Sequence, residues 1–159
     1  MIIVGYQGIG KSTLAGKNNI IDLESGNFWN NAKRHDDWYV YYCNIAEHLS
    51  RQGYIVFVSS HKVVRDRLRA YCEEPVYCIH PSPLLGEEWT KKLEDRYYET
   101  NLIKDYKAWK NAESLYFMNI TELMNCGIPH YQIDSMNYKL KDIVDYLVAY
   151  NKDLKLNQI

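Results

Sequence analysis

The residue types with the clearest chemical meaning lie near the start of the chain, where residues 5–13 read GYQGIGKST. This stretch matches the pattern GxxxxGK[ST], in which glycines let backbone N–H groups turn toward a phosphate with no Cβ in the way. We expect Lys11 to reach the β- and γ-phosphates of a nucleoside triphosphate, Ser12 to ligate Mg²⁺, and Thr13 to contact the α-phosphate. A helix opening near Lys11 would aim its positive end at the same anion. The nucleotide-binding residues that the motif predicts are Gly8, Ile9, Gly10, Lys11, Ser12 and Thr13.

Two carboxylates, Asp22 and Glu24, stand at the end of the second apolar run. Because side chains alternate along a strand, both are expected on the same side, and the carboxyl ends of parallel strands line the ligand crevice of such sheets. We expect Asp22 to hold Mg²⁺ through water, or to orient or deprotonate an acceptor hydroxyl, and Glu24 to contact the acceptor. A helix N-cap or a solvated turn is the structural alternative for both.

Six arginines are the candidate cations for an acceptor, since phosphoryl transfer spreads negative charge over the equatorial oxygens of the migrating group. Arg65 follows the third apolar run and is predicted to grip an acceptor phosphate. Arg34 lies between Trp29 and Trp38, two rings placed to sandwich a base. For Arg34 and Arg65, a surface salt bridge is an equally weighted alternative.

The third apolar run ends in VSSH at residues 58–61, without the aspartate of a usual second magnesium motif. Ser12 is therefore expected to be the main protein ligand of the metal, with Asp22 as the carboxylate near it. Ser59 and Ser60 are expected to cap the next helix or to hold a water on Mg²⁺. His61 is a candidate phosphate contact, although a loop histidine of this kind is more often incidental.

Short apolar runs bounded by turn residues predict the strands that position these groups, and their near-continuous hydrophobicity is typical of strands buried on both faces of a parallel sheet. Apolar residues at helical spacing separate the runs. The alternation predicts one doubly wound α/β domain over residues 1–159. The predicted strands are 2–4, 20–23, 54–58, 76–79 and 131–133, and the predicted helix faces are Trp38, Tyr42, Ile45, Ala46 and Leu49; Val63, Val64, Leu68 and Tyr71; Trp89, Leu93 and Tyr97; Leu115, Met118 and Leu123; and Leu140, Ile143, Val144 and Leu147.

The composition is that of an ordinary globular domain, with 47% hydrophobic and 25% charged residues in 159. A formal net charge of -1 argues against a protein that coats DNA or RNA, which would be strongly basic. No apolar stretch is long enough to cross a membrane, and the first residues do not resemble a leader peptide, so we expect no membrane partner and a cytoplasmic location. The four cysteines lack metal-binding spacing and are expected to be reduced.

The order of elements, with residues 5–13 directly after the first strand, resembles the nucleoside-monophosphate kinase group of P-loop kinases, which includes adenylate, shikimate and gluconate kinases. The resemblance extends over nearly the whole chain as an order of elements, but only residues 5–13 match with high specificity. It implies a P-loop NTPase fold of three α/β/α layers with a five-stranded parallel sheet, ATP as phosphoryl donor, and Mg²⁺. It also implies that residues 84–110 form a lid whose arginine, Arg96, joins Lys11 and Asp22 as a catalytic residue.

Three functions remain open from the sequence. The first is a small-molecule kinase that phosphorylates a nucleoside or deoxynucleoside monophosphate. The second is a polynucleotide end kinase, which the net charge disfavours. The third is a non-catalytic ATP-binding regulatory module, favoured by the missing aspartate after the third run. The identity of the acceptor, the preference for ATP over GTP and the oligomeric state are not predicted.

Overall fold

The computed structural model describes residues 1–30 and 33–156, and five of its strands form one parallel sheet. The strands are β1 (Ile2–Gly5), β2 (Ile20–Asp22), β3 (Trp29–Asn30), β4 (Lys33–Arg34), β5 (Ile55–Ser59), β6 (Val76–Pro81) and β7 (His130–Ile133). The large sheet has the order β2-β5-β1-β6-β7, and β3 pairs with β4 in a separate antiparallel hairpin. The predicted α/β fold with a five-stranded parallel sheet and flanking helices is confirmed.

The central strand β1 carries the candidate loop, and its composition explains its position. Ile2, Ile3 and Val4 are fully buried, with β5 on one side and β6 on the other. The register pairs Gly5 with Ser59 and with Ile79, so the loop that follows Gly5 begins at the carboxyl edge of the sheet.

Six α-helices flank the sheet within the described ranges. They are α1 (Lys11–Leu14), α2 (Trp38–Arg51), α3 (Lys62–Tyr71), α4 (Gly86–Thr100), α5 (Ile103–Met124) and α6 (Leu140–Leu156). Helix α1 is only one turn long, which differs from the helix expected after the loop. Three residues with left-handed backbone, Gly16, Asn18 and Asn19, follow it and turn the chain into β2. No helix in the described part of the chain is long and apolar enough to span a bilayer.

Three predicted helix faces were partly wrong. On α5, Leu115 and Met118 are 40% and 50% exposed, whereas the buried stripe consists of Ala112, Tyr116, Ile120 and Leu123. Tyr116 can be buried because its hydroxyl donates to the carbonyl of Ser82 at 2.7 Å, a partner that the sequence pattern does not show. Outside α5, the predicted core residues Ile45, Val63 and Tyr71 are also exposed.

Candidate functional site

The candidate site is a cleft of about 770 Å³ at the carboxyl edge of the sheet, where β1, β2 and β5 end. The chain leaves β1 toward β2 on one side and leaves β6 toward β7 on the other, so the connections diverge next to β1. Ligands of open α/β sheets bind at such switch points. The cleft brings together nearly all residues predicted for the site: Gly8, Ile9, Gly10, Lys11, Ser12, Asp22, Glu24, Arg34, Arg65 and Arg96.

The loop at residues 5–13 takes a backbone path that requires glycine. Gly8 and Gly10 have φ values of 84° and 98°, in the region that L side chains rarely adopt. A Cβ on Gly8 would also lie 2.8 Å from Cδ2 of Leu93, because α4 packs directly against the loop. Gly8 thus serves close packing against α4 as well as the turn.

The carbonyl groups of this loop are held by Lys11 of the loop itself and by two side chains from distant elements. Nζ of Lys11 donates to the Gly5 carbonyl at 3.1 Å, and Nε1 of Trp89 donates to the Gln7 carbonyl at 3.0 Å. The hydroxyl of Tyr138 donates to the Ile9 carbonyl at 2.9 Å. With these carbonyls engaged, the amide N–H groups of residues 7–12 donate to no protein acceptor in the ranges 1–30 and 33–156.

The side chain of Gln7 ties the loop to α5. Its Nε2 donates to the Ala108 carbonyl at 2.9 Å and to Oδ1 of Asn111 at 3.3 Å, and Oδ1 of Asn111 also accepts from Asn119. No sequence pattern indicates that Gln7, Trp89 and Tyr138 hold the loop, since partners far apart in the chain leave no local pattern.

Burial and charge shift the ionisation of the two central groups in opposite directions. Burial lowers the pKa of Lys11, and the carboxylates of Asp22 and Glu24 partly offset this. Burial raises the pKa of Asp22, and Lys11 opposes that shift. Glu24 is exposed and lies 3.8 Å from Nζ of Lys104.

Tyr42 on α2 fixes the carboxyl ends of β2 and β5. Its buried hydroxyl donates to the Leu23 carbonyl at 2.6 Å and accepts from the Ser59 amide at 2.9 Å. The bridge holds the segment between Asp22 and Glu24 against the neighbouring strand. From sequence Tyr42 was only a member of an apolar helix face, and its hydroxyl was the available signal.

Arg65 and Arg34 line the cleft, but each is engaged by the protein. Arg65 is 6% exposed and pairs with Glu122 at 3.0 Å, while its Nε donates to the Ser60 carbonyl. The Glu122 side chain is 49% exposed, so the ion pair lies at the cleft surface with only its arginine buried. Arg34 donates to the Ser25 carbonyl at 3.0 Å and lies 4.1 Å from the centre of the Trp38 ring.

The predicted base sandwich is not supported by Trp38. This ring is 8% exposed and packs against Arg34, His61, Phe28 and Tyr42, so it offers no free face. The side chain of Trp29 lies outside the described part of the structure.

Residues 84–110, the predicted lid, form a short 3₁₀ turn, α4 and the beginning of α5. Trp89 and Leu93 are buried beneath the loop, so the first half of α4 belongs to the core. Arg96 reaches the cleft from the second half, and its guanidinium pairs with the buried carboxylate of Asp105.

The side chains of Ser12 and Thr13 line different depressions of the surface. Ser12 is exposed in the cleft, and its hydroxyl has no protein partner within the described ranges. Thr13 donates to the Gly10 carbonyl at 2.6 Å and instead lines a second depression of about 400 Å³. Since α1 is one turn long, its dipole stabilises an anion at the loop less than the dipole of a longer helix would.

The cleft is electropositive in a chain of nearly balanced charge. Seven basic side chains line it against three acidic ones. The basic residues are Lys11, Arg34, Lys62, Arg65, Arg96, Lys104 and Lys107, and the acidic ones are Asp22, Glu24 and Glu122. Such a balance favours an anionic ligand.

A scan against protein-family models finds no match for this chain, and a search of curated proteins finds no significant relative. The class is therefore defined by the fold and the cleft: an α/β protein with a five-stranded parallel sheet and an electropositive cleft at its carboxyl edge.

Proposed function

We propose that the protein is a P-loop phosphotransferase that transfers the γ-phosphoryl group of MgATP to a nucleoside or deoxynucleoside monophosphate. The observation that carries this proposal is the run of amide N–H groups at residues 7–12 that have no protein acceptor within 1–30 and 33–156. Successive N–H groups in a glycine-rich turn form a nest for phosphate oxygens. Lys11, at the end of the run, adds the cation that the β- and γ-phosphates need.

The second depression suits the base of the donor nucleotide. It shares Ile9 and Gly10 with the main cleft, so a bound nucleotide can extend from one to the other. One wall is apolar, and the rest of the lining includes Thr13 and the lysines Lys92, Lys139 and Lys141. The wall consists of Leu14, Met136, Tyr138 and Leu140. Nothing in this lining distinguishes adenine from guanine, and ATP is the default donor.

The other end of the cleft supports an acceptor that carries its own negative charge. Lys104 and Lys107 face the cleft from α5, and Lys107 has no ion-pair partner among the described residues. Arg65 reaches the cleft from α3. Lys104 and Arg65 already lie near the carboxylates of Glu24 and Glu122, so an uncharged acceptor would leave Lys107 as the cation of this group without a counter-charge in the described residues.

The oxygen atoms near Lys11 fit Mg²⁺. Ser12 supplies a hydroxyl and Asp22 a carboxylate to the same cleft, and Mg²⁺ is commonly held by one or two such groups plus substrate phosphates and waters. No cluster of three or more His, Cys, Asp or Glu side chains suited to a metal occurs in the described residues. Bound Mg²⁺ would neutralise charge between the β- and γ-phosphates.

The roles of the side chains follow from their positions. Lys11 binds the phosphates, and Arg96, on the opposite wall, stabilises negative charge on the migrating phosphoryl group. Asp22 orients the acceptor, whose phosphate group has a second pKa of about 6 and is largely a dianion at neutral pH, so only its monoprotonated form has a proton for Asp22 to take. Burial raises the pKa of Asp22, which makes it a better base for that proton than an exposed aspartate.

The first test is nucleotide binding. MgADP and MgATP are expected to raise the melting temperature of the wild type, because a ligand bound only by the native state stabilises it. Lys11→Ala should abolish the shift while the matched control, exposed Lys17→Ala, retains it. An equal shift in Lys11→Ala and wild type would contradict the phosphate site.

The second test is turnover. ADP release is measured with each ribo- and deoxyribonucleoside monophosphate and with 5′-hydroxyl oligonucleotides, which separates the mononucleotide kinase from a polynucleotide end kinase. Asp22→Asn should lower kcat by about 100-fold or more with little change in ATP affinity, because the carboxylate faces the acceptor. Asp153→Asn, at an exposed position of α6 outside the cleft, is the control.

A non-catalytic nucleotide-binding module is the second candidate. It is favoured by Ser59, which ends β5 where an aspartate would supply a second carboxylate for the metal. Binding of MgADP without ADP release for any acceptor would support this candidate over the kinase.

A further inference from the structure

The guanidinium of Arg96 is held in place by a buried carboxylate of the neighbouring helix α5. Asp105 lies in the first turn of α5 and is 1% exposed. One of its oxygens, Oδ1, accepts from NH2 of Arg96, and the other, Oδ2, accepts from the Thr100 hydroxyl at 2.6 Å. Both oxygens of this buried carboxylate thus accept hydrogen bonds from residues of the preceding helix.

The turn between α4 and α5 is built around this carboxylate. Asn101 has φ 53° and reverses the chain, and the Leu102 amide donates to Oγ1 of Thr100 at 3.3 Å. Thr100 therefore links the turn to Asp105. Burial alone would raise the pKa of Asp105, but the hydrogen bonds from Thr100 and Arg96 hold the pKa below its usual value, so the group is a carboxylate at neutral pH.

The same arrangement sets where the positive charge of Arg96 lies. Its side chain is 40% exposed on the cleft wall, and it is close enough to Lys11 and Asp22 to influence the ionisation of both. An unanchored arginine near a helix end would sample many rotamers, and fixing such a side chain costs conformational entropy. Because Arg96 already pairs with Asp105 in the folded protein, this side-chain entropy is lost on folding and not again during the reaction.

We propose that Asp105 is a positioning residue that presets the Arg96 guanidinium at the rim of the cleft, with Thr100 orienting the carboxylate. This inference rests on the proposed phosphoryl-transfer function. It differs from a lid mechanism, because the cation is in place before any nucleotide binds. Asp105 itself contacts no substrate.

The test compares two ligands on the full-length protein. MgADP reports the phosphate loop, whereas MgADP with aluminium fluoride mimics the migrating phosphoryl group and reports the cations around it. Transition-state mimics bind roughly 100-fold or more tightly than ground-state ligands. Dissociation constants for both are measured by calorimetry for wild type, Arg96→Ala, Asp105→Asn and Thr100→Val, with exposed Asp95→Asn as the matched control on α4.

We expect Arg96→Ala and Asp105→Asn to lose most of the tightening by aluminium fluoride, about tenfold or more of it, while the MgADP constant changes less than about twofold. Thr100→Val should lose an intermediate part, and Asp95→Asn none. The ratio of the two constants separates positioning from general destabilisation, which would weaken both ligands. Thr100→Val keeps the test valid if Asp105→Asn does not fold.

Two results would overturn the inference and leave the phosphate site unaffected. One is that aluminium fluoride tightens MgADP binding in both Asp105→Asn and Thr100→Val as much as in wild type. The other is that aluminium fluoride does not tighten binding in wild type, although MgADP binds. A wild type that binds no MgADP overturns the proposed function, and this inference with it.

Discussion

The hydroxyl of Tyr138 donates a hydrogen bond to the carbonyl oxygen of Ile9 at 2.9 Å, joining the segment after β7 to the loop after β1. Nζ of Lys92 donates to the same hydroxyl at 3.0 Å, and the Tyr138 ring stacks on Trp89. Two residues that hold carbonyls of the loop, Trp89 and Tyr138, are therefore in contact with each other. The shape of the loop depends on elements more than 80 residues away.

Tyr138→Phe is expected to weaken MgADP binding and to lower the free energy of unfolding by about 1 kcal/mol, because only the hydroxyl is lost and the Ile9 carbonyl loses its partner. Urea unfolding and calorimetry with MgADP measure the two effects. Tyr146→Phe is the control, since that ring is 56% exposed. Equal MgADP affinity in Tyr138→Phe and wild type would show that the loop keeps its shape without this bond.

Gly8→Ala and Gly53→Ala separate backbone strain from close packing. Both glycines have positive φ, 84° and 91°, but a Cβ on Gly53 meets nothing within 4 Å, whereas on Gly8 it meets Leu93 at 2.8 Å. Gly53→Ala should therefore cost about 1–2 kcal/mol of stability from backbone strain alone. Gly8→Ala should cost more and should also weaken MgADP binding. Chemical denaturation of the two variants measures the difference, and equal losses would contradict the packing argument.

The sequence was sufficient for the strands of the sheet, which depend on short-range pattern, and for several cleft residues, among them residues 8–12, Asp22 and Arg96, but it did not point to Lys62, Lys104 or Lys107. Apolar runs located all five strands of the sheet to within a few residues. It was insufficient for the partners that hold the loop, since the bond between Tyr138 and Ile9 spans 129 residues. The buried stripe of α5 was misassigned because Tyr116 needs the Ser82 carbonyl, which only the fold supplies.

Tyr42→Phe tests the bridge between β2 and β5. Loss of the hydroxyl leaves the Leu23 carbonyl and the Ser59 amide without their described partner, so we expect a loss of about 1–3 kcal/mol in the free energy of unfolding. Since the bridge holds the segment next to Asp22, kcat should fall more than MgADP affinity. Tyr41→Phe, on the adjacent and 60% exposed position, should leave both unchanged. If Tyr42→Phe changes neither kcat nor the free energy of unfolding, then the bridge does not help to position Asp22.

His80 makes stability depend on pH. It is fully buried on β6, its Nδ1 lies 2.8 Å from the Pro81 carbonyl, and its Nε2 has no partner among the described residues. Burial lowers the pKa of His80, with the Pro81 carbonyl and Asp134 acting against burial and His130 acting with it.

Because the unfolded chain binds this proton more readily than the folded one, stability is complete above the unfolded pKa of about 6.5 and falls as the pH drops below it. The slope is limited to about 1.4 kcal/mol per pH unit for one proton. Urea unfolding of wild type from about pH 8 to about pH 5, a range that brackets the ordinary histidine pKa, should show this fall in stability. In His80→Gln the free energy of unfolding should fall less steeply over the same range.

Burial also lowers the pKa of His61, so the double variant His61→Gln/His80→Gln should be flatter still. His48→Gln, on the exposed side of α2, serves as the control with the wild-type slope. If His80→Gln retains the full wild-type slope, then the buried imidazole is not the group that takes up the proton, and the loss of stability in acid must come from other histidines or from the carboxylates.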